Sequence, residues 1–324
     1  MLTTVQDLGR WGHQSRGVPV AGPMDAYAHR LANALAGNHA GAAMLEITLV
    51  GPELEFDDDR MVAVTGARFE LTAADRPVPM QTAFAVSRGS RVTFGRRLEG
   101  ARAYLAIEGG VNVTLVLGSR ATHVTTAMGG VEGRALKAGD RVPLGLRHGP
   151  GKAGLIMGPP TGGHHVPTGG GVRPEPDLRN RAARLRVLPG PHAEYFSGEA
   201  LRVLQEAPYT LDQKSDRMGF RLDGNPIPQT GADLISDATP MGTVQILPSG
   251  LPILLMADRQ TTGGYPQLAT VISADLPIAG QLAPGDVVSF AVCSAADAMA
   301  ALVAQERTLM AVERTIRLLK KSAT

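Results

Sequence analysis

Apolar residues fall in short runs along the chain, and glycine, proline or aspartate separates one run from the next. Runs of this length between turn residues predict the β-strands of a sandwich or small barrel. In the first half, the predicted strands are Met61–Thr65, Ala83–Ser87, Arg91–Phe94 and Arg102–Ile107. In the second half, they are Leu185–Leu188, Thr243–Leu247, Ile253–Ala257, Leu268–Ser273 and Val287–Val292. The pattern therefore predicts a mainly β chain.

Three segments follow helical spacing instead. In residues 24–37, apolar positions recur every three or four residues, Asp25 lies in the favourable first turn, and Gly37 is a plausible stop. A short helix is predicted near Ser197–Gln205. The end of the chain, Ala295–Lys320, predicts an amphipathic helix. We expect a few short helices and a C-terminal helix beside the strands.

The composition changes sharply after Arg147, where glycine and proline become so frequent that neither a helix nor a central strand can continue. This stretch predicts an inter-domain linker. The predicted organisation is a first β-barrel domain at 1–146, a Gly/Pro-rich linker at 147–184, a second β-barrel domain at 185–293 and a C-terminal helix at 294–324.

A weak internal repeat links the two halves. Leu136–Val142 resembles Leu282–Val288, and each copy contains a Gly-Asp pair shortly before a valine. Upstream of each copy, a predicted strand runs into a double glycine. Similar turns precede strands in many β-proteins, but duplication of one β-domain explains both similarities, and we favour it.

Composition and charge narrow the function. The chain of 324 residues is 44% apolar and 19% charged, which supports packed cores, and its 39 glycines and 23 prolines exceed the average share. The formal net charge of +2 gives no basic stripe, so nucleic acid is a poor candidate partner. No signal pattern and no apolar stretch long enough for a membrane span are visible, so a cytoplasmic location is expected.

Common catalytic signatures are absent from the sequence, including a phosphate-binding loop, a zinc-protease helix and a serine nucleophile elbow. The single cysteine, Cys293, excludes an intramolecular disulfide and is expected to be a small buried residue. The His164–His165 pair lies in the glycine-rich linker, without a nearby carboxylate, and predicts a solvated loop. We therefore expect no metal site.

The strongest candidate for a site follows the predicted strand Ile253–Ala257, where the chain reads Asp-Arg-Gln-Thr-Thr-Gly-Gly-Tyr-Pro. Arg259 can bind a carboxylate or phosphate through two N–H groups. Gly263 and Gly264 would let a ligand approach backbone N–H groups. The alternative is a polar turn that satisfies its own backbone, but a long polar run directly after a buried strand favours a site.

Two further segments are weaker candidates. In residues 213–221, Asp216 and Arg217 offer an acid and an anion-binding group, or simply an exposed ion pair worth about 0–1 kcal/mol. In residues 17–25, Asp25 stands at a helix start, where an ordinary capping acid is at least as plausible as a functional one. We expect 216–217 and 258–265 to line one cleft, because only together do they offer anion-binding and proton-transfer groups.

Taken together, the motifs resemble the biotin-dependent carboxyltransferase A/B family, also called the allophanate hydrolase subunit 2 family. The matching stretches run in order through nearly the whole chain: Thr3–Gly9, Gly17–Asp25, Leu31–Asn38, Leu45–Thr48, Gly118–Ser119, Leu136–Asp140, Val187–Pro191, Ser215–Arg221, Asp258–Pro266 and Ala269–Leu276. The resemblance implies two cyclophilin-like β-barrel domains. Family members have a short strand before the first stretch, whereas only Met1 and Leu2 precede it here, so we expect an unpaired sheet edge.

The resemblance also implies an activity, that of one component of an ATP-dependent 5-oxoprolinase, a hydrolase. In that reaction ATP phosphorylates the lactam oxygen, water opens the ring and glutamate forms. The implied partners are an allophanate hydrolase subunit 1-like protein and a third 5-oxoprolinase subunit, and ATP can lie on a partner. We expect the chain alone to be inactive, since it has no phosphate-binding loop.

Within this reading, Arg217 and Arg259 would bind anions, and Asp216 or Asp258 would act as the acid or base. The expected substrate contacts are Ser215, Gln260, Thr261, Thr262, Gly263, Gly264 and Tyr265.

Two other functions stay open. One is a carboxyltransferase component that moves a carboxyl group from carboxybiotin to urea or another amide, with Gly263 and Gly264 N–H groups stabilising the biotin enolate. Biotin would then arrive on another protein, because the chain has no Met-Lys-Met attachment site. The other is a non-catalytic regulator that antagonises an inhibitor of a histidine kinase. Asp258, Arg259 and Gln260 favour chemistry over that role.

Overall fold

The computed structural model describes residues 2–147, 182–230 and 234–322. The chain forms two compact units, and neither is continuous in sequence. The first unit contains the described residues of Met1–Arg10, Asp25–Gly170 and Glu306–Thr324, and the second those of Trp11–Met24 and Gly171–Gln305. Residues 11–24 therefore belong with the second unit, although the sequence suggests a continuous first domain. Most of the linker expected at 147–184, with His164 and His165, lies outside the described residues.

The first unit is built on a seven-stranded antiparallel sheet. Its strands are β1 (Leu2–Gln6), β2 (Met44–Thr48), β3 (Glu53–Glu55), β4 (Arg60–Ala73), β5 (Arg76–Pro77), β6 (Ala83–Val86) and β7 (Arg91–Ile107). Their order is β1-β2-β7-β4-β5, with β3 beside β7 and β6 beside β4. Within the described residues, β2 is the one strand that pairs with β1. The expected unpaired edge is not found, because the Leu136 and Thr122 N–H groups donate to the Thr3 and Val5 carbonyl oxygens at 2.8 and 2.9 Å.

The strands β4 and β7 are longer than the alternating pattern predicts. β7 joins the two strands expected at Arg91–Phe94 and Arg102–Ile107 into one. Residues 95–98 between them are exposed, and Arg96 and Glu99 pair across to β4 through the Arg96–Glu70 and Glu99–Arg68 ion pairs. A polar interruption of the apolar pattern therefore marks a solvent-facing part of one strand and not a turn between two strands.

The helix α1 (Ala26–Ala36) begins and ends where the sequence predicts. The Asp25 carboxylate accepts a hydrogen bond from the Ala28 N–H at 2.8 Å, and Gly37 ends the helix with a φ of 78°. Leu31 and Leu35 pack α1 onto one face of the sheet. The opposite face carries the larger apolar cluster, which includes Leu45, Ile47, Val64 and Leu105.

The second unit is a closed barrel of seven strands. The strands of this unit are β8 (Ala182–Pro189), β9 (Tyr209–Leu211), β10 (Gly219–Asp223), β11 (Asp237–Ala238), β12 (Thr243–Ile246), β13 (Pro252–Leu255), β14 (Thr262–Gly263), β15 (Gln267–Val271) and β16 (Val287–Val292). The ring runs β10-β13-β12-β15-β8-β16-β9, and β11 pairs with β14 as a separate two-stranded ribbon. The pairing of β16 with β8 is parallel.

Three further helices complete the described part of the chain: α2 (Ala200–Glu206), α3 (Leu276–Gly280) and α4 (Ala295–Ser322). In the first unit's part of α4, Leu309 and Val312 are buried in the cluster around α1, and Glu306 forms an ion pair with Arg30. The prediction of a mainly β chain with few helices and a C-terminal helix is confirmed.

The repeated segments form the same turn. Gly139 and Gly285 both have a φ of 88°, a left-handed conformation that favours glycine. The following aspartate accepts a hydrogen bond from the N–H three residues earlier, at 2.9 Å for Asp140 and 2.8 Å for Asp286. A strand follows directly only in the second copy, as β16.

Candidate functional site

The two segments that the sequence singles out in the second unit lie side by side. β10 and β13 pair up to Gly219 and Leu255, and the hydrogen bonds continue beyond the strands. The Asp258 N–H donates to the Arg217 carbonyl oxygen at 2.8 Å. Residues 216–217 and 258–265 are thus neighbours although Arg217 and Asp258 are 41 positions apart.

Arg217 and Asp258 form a buried ion pair in which the side chains are 6% and 7% exposed. Arg217 Nε and Nη2 each donate to the Asp258 carboxylate at 2.9 Å. Arg217 Nη2 also donates to the Gly22 carbonyl oxygen at 2.6 Å. Three motifs distant in sequence, at 17–25, 215–221 and 258–266, therefore meet at one guanidinium.

Asp216 and Ser215, expected near substrate, instead stabilise their own turn. Asp216 is exposed, and its carboxylate accepts from the Met218 N–H at 2.8 Å and the Gly219 N–H at 3.2 Å. The Ser215 hydroxyl accepts from the Arg221 N–H at 3.1 Å. Arg217 does not form the exposed ion pair with Asp216 that was the alternative, because its partner is Asp258.

Arg259 is held differently from Arg217. Its Nε donates to the Thr239 carbonyl oxygen at 2.7 Å and its Nη1 to the Met256 carbonyl oxygen at 3.4 Å. Within the described residues, no carboxylate lies within ion-pair distance of it. Burial lowers the pKa of Arg259 to about 10, against an opposing effect of Asp258. The guanidinium is therefore still charged at neutral pH, and its described hydrogen bonds go to carbonyl oxygens, while Asp258 acts on it only at a distance.

The loop after Arg259 is tied down by Thr239. The Thr239 hydroxyl donates to the Gln260 carbonyl oxygen, and the Thr239 N–H donates to the Thr261 carbonyl oxygen at 3.1 Å. Thr262 and Gly263 then pair with β11. These contacts fix the loop to the ribbon, and Thr262, Gly264 and Tyr265 remain exposed.

The two glycines of the loop have different surroundings. Gly263 is buried, and a Cβ built on it would come within 2.7 Å of Gln245 Nε2, 3.0 Å of Thr239 Cγ2 and 3.2 Å of Gln260 Nε2. Gly264 is exposed, and its Cβ would meet only Ser236 Oγ, at 3.6 Å. Of the two backbone N–H groups expected to face a ligand, only that of Gly264 belongs to an exposed residue.

Several buried polar residues beneath the loop were missed by the sequence reading. Gln245 and Gln267 occupy apolar strands, which was the available signal, and they lie opposite each other in the β12–β15 ladder. Gln267 Nε2 donates to the Ala238 carbonyl oxygen at 2.9 Å. His192 Nδ1 accepts from the Gln267 N–H at 3.1 Å, and its Nε2 is 3.4 Å from an Asp237 oxygen.

Asp25, the third candidate, has the structural role that was the alternative. Besides capping α1, it donates its N–H to the Tyr104 hydroxyl at 2.8 Å, and that hydroxyl donates to Glu46 at 2.7 Å.

The remaining expectations concern Cys293, metal ions and membranes. Cys293 is partly buried. The described residues contain no cluster of histidine, cysteine and acidic side chains that could hold a metal ion. Among them there is also no helix long and apolar enough to cross a membrane.

The fold and site define a class of protein: a mainly β chain with a polar loop fixed over a closed barrel. The chain belongs to the family described as carboxyltransferase domain, subdomain A and B, whose model matches residues 16–292. It is 37% identical to the C subunit of the Escherichia coli K12 5-oxoprolinase over 313 residues, which cover 95% of this chain and 93% of that protein.

Urea amidolyases are also similar to the chain. The enzyme of Lachancea kluyveri is 32% identical over 305 residues, which cover 89% of this chain and 16% of that protein. The solved structure of the K. lactis urea amidolyase matches with a TM-score of 0.81 at 29% identity, covering 96% of this chain and 19% of that one.

Proposed function

We propose that the chain is one subunit of an ATP-dependent 5-oxoprolinase and is active only together with its partner subunits. The proposed reaction converts 5-oxo-L-proline, ATP and water to L-glutamate, ADP and phosphate. The support from similarity is that the C subunit of a 5-oxoprolinase matches over 95% of this chain and 93% of its own length. The urea amidolyases match through a small part of much longer chains.

The observation that carries the proposal is the state of Arg259. A partly buried guanidinium that carries its charge without a carboxylate partner is suited to an anionic oxygen. Activation of a lactam by ATP places negative charge on the carbonyl oxygen and on the transferred phosphoryl group. After the γ-phosphoryl group has moved to the lactam oxygen and ADP has left, water adds to the carbonyl carbon, the ring C–N bond breaks and the nitrogen takes up a proton. A second water then hydrolyses the resulting acyl phosphate to the carboxylate of glutamate and phosphate. In our proposal Arg259 stabilises the anionic oxygen during these steps.

Arg217 and Asp258 receive a positioning role in this proposal. Each neutralises the other, and Arg217 also binds the Gly22 carbonyl oxygen. Both carboxylate oxygens of Asp258 accept hydrogen bonds from Arg217, so this carboxylate is already occupied. The pair instead fixes the start of the loop that carries Arg259, Gln260 and Gly264. The proton-transfer group of the reaction is then expected on a partner subunit.

ATP is assigned to a partner in this proposal. The sequence has no phosphate-binding loop, and no residue of this chain is proposed to hold the nucleotide. The proposed partners are the allophanate hydrolase subunit 1-like protein and the third 5-oxoprolinase subunit.

A carboxyltransferase function is the second candidate, and the family description and the urea amidolyase matches favour it. Biotin would come from another protein. The exposed Gly264 is the group of this loop best placed to offer an N–H to a biotin oxygen.

One experiment separates these functions. The chain is coexpressed with its partner subunits, and phosphate release is measured with 5-oxoproline or with urea, in the presence and absence of bicarbonate and a biotinylated carrier. We expect 5-oxoproline alone to stimulate phosphate release, with glutamate formed in equal amount. The purified chain without partners is the control and should show no turnover. Stimulation that requires urea, bicarbonate and biotin would replace the proposal by carboxyl transfer.

A further inference from the structure

The ribbon of β11 and β14 has a free edge, because β14 pairs with β11 alone within the described residues. The register places Gly263 opposite Asp237, and the Thr239 N–H donates to the Thr261 carbonyl oxygen at 3.1 Å. In an antiparallel ladder, hydrogen-bonded pairs alternate with pairs whose N–H and C=O groups point outwards. The backbone groups of Gly263 therefore face β11, and those of Thr262 point away from it.

Three backbone groups lie on this free edge. The described peptide bonds are trans, so each C=O and the N–H that follows it point in opposite directions. The Thr261 carbonyl oxygen faces β11, so the Thr262 N–H faces away. The Gly263 N–H and C=O both face β11, so the Thr262 C=O before them and the Gly264 N–H after them face away. In chain order, the free edge presents a donor, an acceptor and a donor.

These three groups are open to solvent and unused by the described chain. Thr262 and Gly264 are both exposed. Within the described residues, no hydrogen bond uses the Thr262 N–H, the Thr262 C=O or the Gly264 N–H. A Cβ built on Gly264 would meet only Ser236 Oγ, at 3.6 Å. A small molecule can therefore reach the edge from solvent and approach the backbone closely.

The opposite side of the same loop is fixed, so the free edge is held in place. Gly263 is buried against Gln245, and Gln245 Nε2 donates to the Tyr265 carbonyl oxygen at 3.2 Å. Arg259 precedes the edge in this loop, so the Thr262 N–H is the edge group nearest to it in the chain. The edge groups are thus pre-organised, which lowers the cost of binding.

We propose that this free edge binds the amide of the substrate as an added strand would, and that it selects a lactam with a carboxylate beside its nitrogen. The inference rests on the proposed function. A ring amide is cis, so its C=O and N–H lie on the same side and pair with the Thr262 N–H and C=O together. An acyclic trans amide has these groups on opposite sides and can make only one of the two hydrogen bonds.

5-Oxoproline presents the complementary order of groups. Its carbonyl oxygen, ring N–H and carboxylate follow one another as acceptor, donor and acceptor. The carbonyl oxygen pairs with the Thr262 N–H, at the end of the edge that is closer in the chain to Arg259. The ring N–H pairs with the Thr262 C=O, and the carboxylate with the Gly264 N–H. The edge binds and orients the substrate in this scheme and transfers no proton.

Two analogues test the assignment in the complete wild-type complex, with dissociation constants measured by calorimetry in the absence of ATP. Pyrrolidinone keeps the lactam but has no carboxylate, and the γ-lactone analogue of 5-oxoproline has an oxygen in place of the ring N–H. Each analogue loses one hydrogen bond to the edge, and the lactone oxygen faces the Thr262 carbonyl oxygen. We expect 5-oxoproline to bind about 10-fold or more tightly than either analogue. Equal binding of 5-oxoproline and its lactone would overturn the inference.

Proline variants remove single N–H groups from the edge, and alanine at the same position is the matched control that keeps them. Proline is tolerated in a strand where its N–H faces away from the ladder. We expect Gly264→Pro to bring 5-oxoproline and pyrrolidinone to within a few-fold of each other, and Gly264→Ala to keep the preference for the carboxylate even if both bind more weakly. We expect Thr262→Pro to weaken both lactams by about 10-fold or more, and Thr262→Ala to change them by a few-fold at most.

The outcomes separate this inference from the proposed function. A carboxylate preference that is the same in Gly264→Pro and Gly264→Ala would overturn the inference, while turnover of 5-oxoproline by the wild-type complex would leave the proposed function intact. If a proline variant does not fold or assemble, the two analogues on the wild-type complex decide alone. If 5-oxoproline neither binds the wild-type complex nor stimulates phosphate release, the proposed function fails and the inference fails with it.

Discussion

Two sets of buried polar side chains, one in each unit, differ in how much charge they carry. In the first unit, Thr4, Glu46, Tyr104 and Thr65 stand opposite one another across β1, β2, β7 and β4, and all are at most 1% exposed. In the second unit, the charged pair Arg217–Asp258 is buried and Arg259 is partly buried. All three lie beside the loop that follows Arg259.

The buried row of the first unit relies mostly on groups that carry no charge. Burial keeps the pKa of Tyr104 well above its ordinary value, so its hydroxyl stays protonated and donates to Glu46. The Thr65 hydroxyl donates to the Ala28 carbonyl oxygen of α1 at 2.6 Å. Burial also lowers the pKa of His29, on the same helix, to about 4, so it is neutral at pH 7. Such a row fixes a helix on a sheet without needing access to solvent.

The second unit keeps charge where a neutral group would pack more easily. An arginine that is hydrogen-bonded to carbonyl oxygens and has no ion-pair partner gains little for stability, which suggests a role in binding. The difference teaches that buried polarity alone does not indicate a site. A network of hydrogen-bonded neutral groups holds elements together, whereas a charge without an ion-pair partner beside exposed backbone indicates chemistry.

The largest change in stability is expected when the Arg217–Asp258 ion pair is broken. Arg217→Met leaves the Asp258 carboxylate buried without its partner and should lower the free energy of unfolding by about 3–5 kcal/mol. Denaturant unfolding can be followed by the fluorescence of Trp11, the one tryptophan of the chain, which belongs to the second unit. The double variant Arg217→Met/Asp258→Leu removes both charges and should recover most of the loss. Equal instability of the single and double variants would show that the charge pair is not the cause.

Arg259 should show the opposite balance between stability and activity. Arg259→Ala removes no carboxylate's partner, so the fold should survive, while activity of the complex should fall about 10²–10³-fold, the scale for one anion-stabilising donor. Arg259→Lys should recover little, because an ammonium group cannot reproduce the planar guanidinium. The measurements are kcat/KM of the complex and the denaturation midpoint of each variant. Wild-type activity in Arg259→Ala would contradict the assignment of the active site to this loop.

A pH titration tests the neutral network of the first unit. The folded-state pKa of His29 is lowered from 6.5 to about 4, so the unfolded chain binds more protons between these values. Stability should therefore fall as pH decreases from about 6.5 to 4, by up to about 3 kcal/mol. His29→Gln should flatten this part of the profile, whereas the exposed His39→Gln is the control and should not. An unchanged slope in His29→Gln would mean that His29 is not the titrating group.

The sequence predicted the parts of the fold that depend on local signals. Asp25 and Gly37 bound α1 as expected, because a capping acid and a left-handed glycine act within a few residues. It predicted neither the single strand β7, whose polar middle depends on ion pairs with β4, nor the grouping of residues 11–24 with the second unit. Both depend on contacts between residues distant in sequence.

For the site, the motif 258–266 was found from its polar run after a buried strand. The partner of Arg217 could not be read from spacing, since the adjacent Asp216 was as plausible as Asp258. Gln245 was overlooked because one glutamine in an apolar strand usually faces water, and only the covering loop makes it buried.

The smallest expected change in stability is the difference between alanine substitutions at Gly263 and at Gly264. In Gly263→Ala the new Cβ would come within 2.7 Å of Gln245 Nε2 and 3.0 Å of Thr239 Cγ2. Gln245 must move, and its hydrogen bond to Tyr265 is lost or weakened, so we expect a destabilisation of about 1–2 kcal/mol. Gly264→Ala meets only Ser236 Oγ at 3.6 Å, an ordinary contact, and should change stability by less than about 0.5 kcal/mol.

The same pair of variants distinguishes packing from ligand approach. Because Gly263 is buried and Gly264 exposed, Gly263→Ala should lower the melting temperature, whereas Gly264→Ala should leave it unchanged and raise KM if a ligand approaches its backbone N–H. Thermal melts of the chain and KM values of the complex measure both effects. Equal loss of stability in the two variants would show that the loop does not rest on Gln245 through Gly263. The contrast between a fixed inner side and an open outer side of this loop would then be wrong.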